Sequence, residues 1–401
     1  MRSAAGWLRR QLAVDLVLGL VTVASILAVS PEASAHPAHA IISNGTIQLG
    51  VWDEGHLNVP GTVPSSGTGT TYVGLRFLPT GAEATAPGCL CEGWGAADKT
   101  SGVSGYANES TDGVVNIAVQ SFTFTATSAV SVVKIGSTLQ VTHNYHPSPV
   151  TPNLYEVTVS IKNISSAAVD LLYRRVMDWD VEPTAFNEFS TISGTASAAN
   201  VLYSSDNGFE TANPLGSRSQ ILASGDFTDS GPTDHGALFD FGFGALSAGA
   251  TKTFTIFYGA AANEANALAA LSAVGSSVYS LGQPSSSDPK VGIPNTFIFA
   301  FKGVGEPETA PPTCRVTARR SGPPVQIDIT VQDPGDGLKS VVVKKKVNAT
   351  VAVPAFSVGT TSKLVITATK VNQSLRSLVG LAVSDVGNHV TRCTASGVIP
   401  F

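Results

Sequence analysis

Charge is scarce in this chain. Only 13% of its 401 residues are Asp, Glu, Lys or Arg, and the formal net charge is −5. No basic stripe is visible, so nucleic acid is not an expected partner. Signatures of common catalytic chemistry are missing too. There is no Gly-x-Ser-x-Gly elbow, no phosphate-cradling glycine loop and no His-Glu-x-x-His. The one long apolar run, Leu16 to Val29, is fourteen residues, short of the ~20 that a spanning helix needs. The closing residues, Ala395 to Phe401, carry neither an apolar tail nor a basic cluster, so no transmembrane anchor is expected. Cysteine is limited to four residues. What remains is rich in Gly, Ser, Thr, Ala and Val. Val, Ile, Leu and Phe recur throughout, which excludes a disordered chain.

The first thirty-five residues read as an export signal. Arg2, Arg9 and Arg10 form a positive start, Leu16 to Val29 the apolar segment, and Ala33–Ser34–Ala35 a small-residue cleavage site, with a second option after Ala40. The expected product is a secreted, extracellular protein with no membrane anchor. Arg9–Arg10 faintly resembles a twin-arginine signal, but a plain positive segment for the general export route is preferred. In an oxidising compartment disulfides persist, and four cysteines allow three pairings. Cys314 and Cys393 bracket the last eighty residues, and a bond between them is the natural choice. Closing so long a loop is worth roughly 4 kcal/mol in the chain-entropy account. Cys89 and Cys91 are then left with each other, as a small-ring staple, a redox or metal pair, or two simple thiols.

Period-two alternation dominates the remainder. Phe122 and Phe124 share a face, as do Leu139, Val141, His143 and Tyr145, and Tyr155, Val157, Val159 and Ile161. Phe254, Ile256 and Tyr258 follow, then Phe297, Phe299 and Phe301. Turns rich in Gly, Ser, Asn, Asp and Pro lie between. This pattern predicts antiparallel sheets with one buried face. Only Asn263 to Gly275 reads as a helix, rich in Ala and Leu and ending at a glycine. The expected class is all-β. Residues 41–305 form a large β-sandwich region, with a division into two near residue 165 left open. Residues 306–313 form a stiff Pro-rich linker, and 314–401 a small β-sandwich.

The closing stretch VSDVGNHVTRC resembles the last hairpin of bacterial Ig-like modules, where an Asp-x-x-Gly-Asn turn precedes the final strand. That resemblance covers about the last ninety residues and implies a spacer or stalk. Residues 41–305 resemble only exported bacterial proteins of unknown function. GTIQLGVWDEGHLNVPG, APGCLCEGWG, YRRVMDWDVEPTAFNEF and PNTFIFAFKGVG carry that likeness. It implies no activity.

Polar chemistry concentrates in YRRVMDWDVEPTAFNEF, Tyr173 to Phe189. As a strand it sets Tyr173, Arg175, Met177 and Trp179 on one face, and Arg174, Val176, Asp178 and Asp180 on the other. Asp178 and Asp180 would then lie about 7 Å apart, at ~3.3 Å per residue. Close carboxylates repel unless a cation or an arginine sits between them. A calcium site is one expectation, with Glu182, Asn187 or Glu188 completing it. A glycosidase-like carboxylate pair is another, and a salt-bridged strand end the plainest. Asp226, Asp229, Asp234 and Asp240, with His235, read as a surface turn, and Asp206 to Glu210 as an Asn–Gly hairpin turn. His143 and His146 would point to opposite faces and share no metal.

Trp94, Tyr106 and Trp179, among the other Trp and Tyr residues, are candidates for a sugar-stacking face, with core burial as the common alternative. The expected function is a non-enzymatic extracellular protein that binds a polysaccharide or a cell-surface partner. The rival is a carbohydrate-active enzyme on a β-sandwich, acting through Asp178, Asp180, Glu182 or Asp234.

Overall fold

The computed structural model describes residues 38–401 apart from 306–310, 334, 336, 387–388 and 395. The expected leader 1–35, most of the linker 306–313 and the Gly–Asn pair of the closing turn therefore lie outside the described residues. The chain is all-β, built from antiparallel sheets. A nine-stranded sheet runs, edge to edge, through Phe227–Thr233, Glu188–Ser193, Val278–Pro284, Thr296–Lys302, Thr251–Ala261, Leu154–Asn163, Leu139–Pro147, Ala129–Ile135 and Ile117–Phe124. A six-stranded sheet runs through Val201–Ser205, His235–Leu246, Val169–Trp179, Gly93–Asp98, Val103–Asn108 and Val114–Val115. A four-stranded sheet, His39–Ser43, Ile47–Trp52, Leu75–Phe77 and Ala82–Glu83, completes this unit.

Aromatic side chains join the two large sheets. Phe239 meets Phe299 and Phe301 with ring centroids 5.7 and 4.8 Å apart, and Tyr173 meets Phe254 at 5.0 Å. Such edge and tilted contacts add to the area that the rings bury. One hydrophobic core extends from Ala40 to Val304 and draws on both sides of residue 165. Where one face is buried, alternation holds: Leu139, Val141, His143 and Tyr145 are buried while their neighbours are not. His143 is more than half-buried. It lies wholly inside, 3.2 Å from the Tyr173 hydroxyl, and burial pushes its pKa well below the usual value. The expected helix is Glu264–Val274. Asn263 caps it by accepting the Asn266 N–H, and Gly275 ends it in the left-handed region.

The strand Val169–Trp179 departs from alternation because it is covered on both faces. Tyr173, Met177 and Trp179 enter the main core, while Val176 packs with Ala212 and Leu238 beneath a long loop. Its two arginines are buried with partners. Arg175 Nε donates to Glu92 Oε1 at 2.5 Å, and Tyr258 donates to the same oxygen at 2.7 Å. Arg174 donates to both Asp240 oxygens at 2.6 and 2.8 Å. The expected hairpin turn at Asp206–Glu210 does not form. Gly208 is absent from the positive-φ residues. A Cβ there would lie 2.4 Å from the Met177 carbonyl oxygen, so this glycine serves close backbone packing instead.

Residues 313–401 form two further antiparallel sheets around a core of their own, Ile327 to Ile399. Cys314 and Cys393 are bonded. Cys314 lies on Thr313–Arg320 in one sheet, and Cys393 directly follows Val390–Arg392 in the other. Cys89 and Cys91 are also bonded, and no cysteine is free.

Candidate cation site

Trp179 and His235 face each other across the ladder that joins Val169–Trp179 to His235–Leu246. That pairing carries Asp180 and Asp234, just beyond the paired ends, to one place. One carboxylate oxygen from each of Asp178, Asp180 and Asp234 falls within a set whose members all lie within 4.8 Å of one another. Glu188 begins the adjacent strand of the nine-stranded sheet. Its charge, like that of Asp234, raises the Asp180 pKa. Glu188 Oε1 accepts the His235 N–H at 3.3 Å, and Oε2 accepts the Asn187 N–H at 3.1 Å. Asp180 donates its own backbone N–H to the Ala84 carbonyl at 2.8 Å, which holds it beside the small four-stranded sheet.

Asp178 is 1% exposed and Asp180 0%. Both Asp180 oxygens, Asp178 Oδ1 and Asp234 Oδ1 are buried and accept from no donor outside the cluster; Asp178 and Asp180 face only each other. Buried carboxylates without donors are costly, and here several share one spot. Burial, reinforced by the charge of Glu188 and then of Asp234, pushes Asp180 up to about 9. Burial with the charges of Asp178 and Asp234 pushes Glu188 up to about 9. Asp178 is raised well above its ordinary value, first by burial and then by Asp180 and Asp234. Asp234 is raised by burial. Among the described residues no arginine or lysine forms an ion pair with any of the four. Arg174, expected on the same strand face as the aspartates, is committed to Asp240, so neither Asp178 nor Asp180 is salt-bridged by it.

The surroundings are fixed by other charged groups. Asp206 accepts from the backbone N–H groups of Ile221, Leu222 and Ala223 and lies 3.3 Å from His235 Nδ1. Cys89 Sγ, bonded to Cys91, lies 3.2 Å from Asp178 Oδ2 and covers that side.

Glu182, expected as a ligand, has another task. It accepts from Ser65 Oγ, from the N–H and hydroxyl of Thr68, and from the N–H groups of Gly67 and Glu83. Burial opposes its charge, but the Ser65 and Thr68 donors hold its carboxyl below the usual range. Glu182 is therefore a clasp for the 65–68 loop, with its oxygens already satisfied by protein donors. Asn187 donates to Ser285 Oγ at 2.7 Å.

That loop forms one wall of a pocket of about 370 Å³. Thr68, Thr70 and Tyr72 stand on one side, and Pro87, Gly88, Leu90 and Phe186 on the other. Gly88 is the partition between pocket and acids. A Cβ on it would lie 2.4 Å from Phe186 Cε1 and 3.2 Å from Asp180 Oδ2. Phe186 is half-exposed and adopts φ 72°, a left-handed conformation that costs an L-residue energy. The aromatic residues expected to stack on sugar lie elsewhere. Trp94 and Trp179 are wholly buried and show no ring to solvent, their N–H groups donating to the Glu54 carbonyl and to Ser280 Oγ. Tyr106 packs against Val176, Ala212 and Leu238. Phe186, exposed, and Tyr72, partly exposed, are the alternative. Phe186 was not legible as a pocket residue, because its place depends on loops 65–72 and 86–90 coming together.

No protein-family model matches the chain, and no curated protein matches it in sequence.

Proposed function

We propose that the protein is an exported, non-enzymatic carbohydrate-binding protein. Its larger domain holds a calcium ion at Asp178, Asp180, Asp234 and Glu188, and takes a saccharide in the neighbouring Tyr72–Phe186 pocket. The observation that carries this is the group of buried carboxylate oxygens with no donor. A hard cation satisfies clustered oxygens where neither arginine nor water-exposed solvation does. The pocket suits a sugar because it pairs two rings with threonine hydroxyls, and its volume is within the range of small-ligand sites. Burial weighs against the enzymatic alternative, since a glycosidic bond cannot reach side chains as enclosed as Asp178 and Asp180. Export is supported by the amino-terminal signal pattern and the two bonded cysteine pairs. No described helix is long and apolar enough to cross a membrane. The two-sheet architecture of residues 313–401, with a disulfide between sheets, supports an Ig-like spacer.

The test is thermal unfolding of the chain from residue 36, with EDTA or with calcium chloride. At calcium about 100-fold above Kd, binding adds about 2.7 kcal/mol, which raises Tm by roughly 5–10 °C in a domain of this size. Asp178→Asn with Asp180→Asn should abolish that rise without lowering the Tm measured in EDTA. A glycan array run with and without calcium then reads the pocket. An unchanged Tm with calcium removes the ion. A calcium response with no glycan retained removes the saccharide.

A further inference from the structure

We infer that residues 314–401 carry a cationic surface that binds an acidic polysaccharide, at a site separate from the calcium cluster and independent of it. The sequence between 314 and 401 holds eleven Lys and Arg against four Asp and Glu. The structure widens that imbalance at the surface. Asp328, Asp333 and Asp385, the three described acids, are all buried. Ten of the eleven cations are exposed, and Lys370 is half-buried. The densest group is Lys344, Lys345 and Lys346 on Leu338–Val347, an outer strand of its sheet. A register shift between Val343 and Lys345 breaks the alternation there, and all three side chains reach solvent. None forms an ion pair with a described residue.

Lysines also blunt bare strand edges against aggregation. That role extends to Arg315 and Arg392, which also lie on edge strands, but it does not explain Lys363, just before Leu364–Lys370, or Arg376, in the turn before Leu378–Asp385, both exposed outside any strand. An acidic patch on the larger domain is not the complement either. Of its twenty-one Asp and Glu, eleven are buried, which leaves ten nearer the surface against seven cations. The module has no Trp and no Tyr, so it lacks the stacking platform of single-strand nucleic-acid binders and the interfacial anchors of membrane-bound proteins. Lysine is a hydrated point charge on a flexible stem. It suits carboxylates strung along a flexible chain, where release of counterions drives association.

The experiment measures binding of the chain from residue 36 to polygalacturonate, in EDTA so that the calcium cluster plays no part. Neutral dextran, duplex DNA and anionic phospholipid vesicles are run beside it. We expect binding to polygalacturonate alone, falling steeply as salt rises. Lys344→Gln, Lys345→Gln and Lys346→Gln together should weaken it by about ten- to a hundredfold and flatten the salt dependence. Lys99→Gln with Lys162→Gln, both exposed in the larger domain, should leave it unchanged. If the triple variant loses its circular dichroism spectrum, Arg315→Gln with Arg376→Gln carries the same comparison. Equal binding to dextran, tighter binding to DNA or to vesicles, or loss caused by the larger-domain pair would each overturn the assignment.

Discussion

Between residues 38 and 305, eleven of twenty-one acids are buried, and three of ten cations, Arg76, Arg174 and Arg175, are buried with them. Between 314 and 401 no arginine or lysine is buried, and ten are exposed. The larger domain buries charge of both signs inside its sandwich, whereas the smaller one buries acids alone and displays its cations. An interior charge must be matched locally. Glu92 has Arg175, Asp240 has Arg174 and Arg218, Glu83 has Arg76, and Asp206 and Glu182 have backbone N–H donors. Against that background Asp178 and Asp180 stand apart, as buried acids with unsatisfied oxygens whose charged neighbours are other acids. An exterior charge meets no such demand, and an unmatched excess of one sign points to something outside the chain.

The contrast predicts very different costs for similar substitutions. Glu92→Gln leaves the buried Arg175 guanidinium without its counter-charge, and should destabilise the larger domain by about 3–5 kcal/mol. Arg320→Gln breaks the ion pair with Asp328 in the smaller unit, where the arginine is about half exposed. Its cost should be under ~1 kcal/mol. Urea titrations that resolve the two units would check both. Equal costs would mean that the interior network is not what holds the larger sandwich together.

pH sharpens the same contrast. The cluster acids have folded-state pKa values raised above their unfolded ones, to about 9 for Asp180 and Glu188. From about pH 4 upwards the unfolded chain gives up protons that the folded chain keeps, so stability should fall as pH rises toward 9. Each such group contributes at most ~1.4 kcal/mol per pH unit. Glu182 has the opposite sign. Its depressed pKa contributes stability that is lost only as pH falls below the ordinary carboxyl range. Between pH 5 and 8 in EDTA, the unfolding midpoint of the larger domain should therefore decline. Calcium should reduce the slope, with protons released on binding. A midpoint that rises across this window would show that the four acids are ionised and solvated.

Much of the architecture was legible because it rests on local periodicity. Alternation marked the strands Leu139–Pro147, Leu154–Asn163, Thr251–Ala261 and Thr296–Lys302, though not Val278–Pro284, and Ala and Leu content with a terminal glycine marked the helix. The Asp178–Asp180 pair was legible too, as two acids on one strand face. Its completion was not, because Asp234 arrives through a ladder between residues about sixty positions apart. Glu182 looked like a ligand by proximity in sequence, yet its donors come from residues 65 to 83. The tryptophans misled for a related reason. Val169–Trp179 is covered on both faces, so neither parity of its residues reaches solvent. Whole-chain charge misled most simply, since −5 is the sum of an acidic part and a basic part.

The smallest effect concerns Phe186. Its φ of 72° costs an L-residue about 1 kcal/mol, whereas glycine adopts that conformation freely. Its ring is about half buried, and losing that burial costs roughly 2 kcal/mol in Phe186→Gly and Phe186→Ala alike. Only glycine relieves the backbone, so Phe186→Gly should melt a few degrees above Phe186→Ala, while both remove one of the two rings of the pocket and with it saccharide retention. A strained backbone that presents a half-exposed ring to a pocket is what selection for binding rather than for packing would leave. Unchanged glycan retention in both variants would reverse that inference and make Phe186 a packing residue over Gly88.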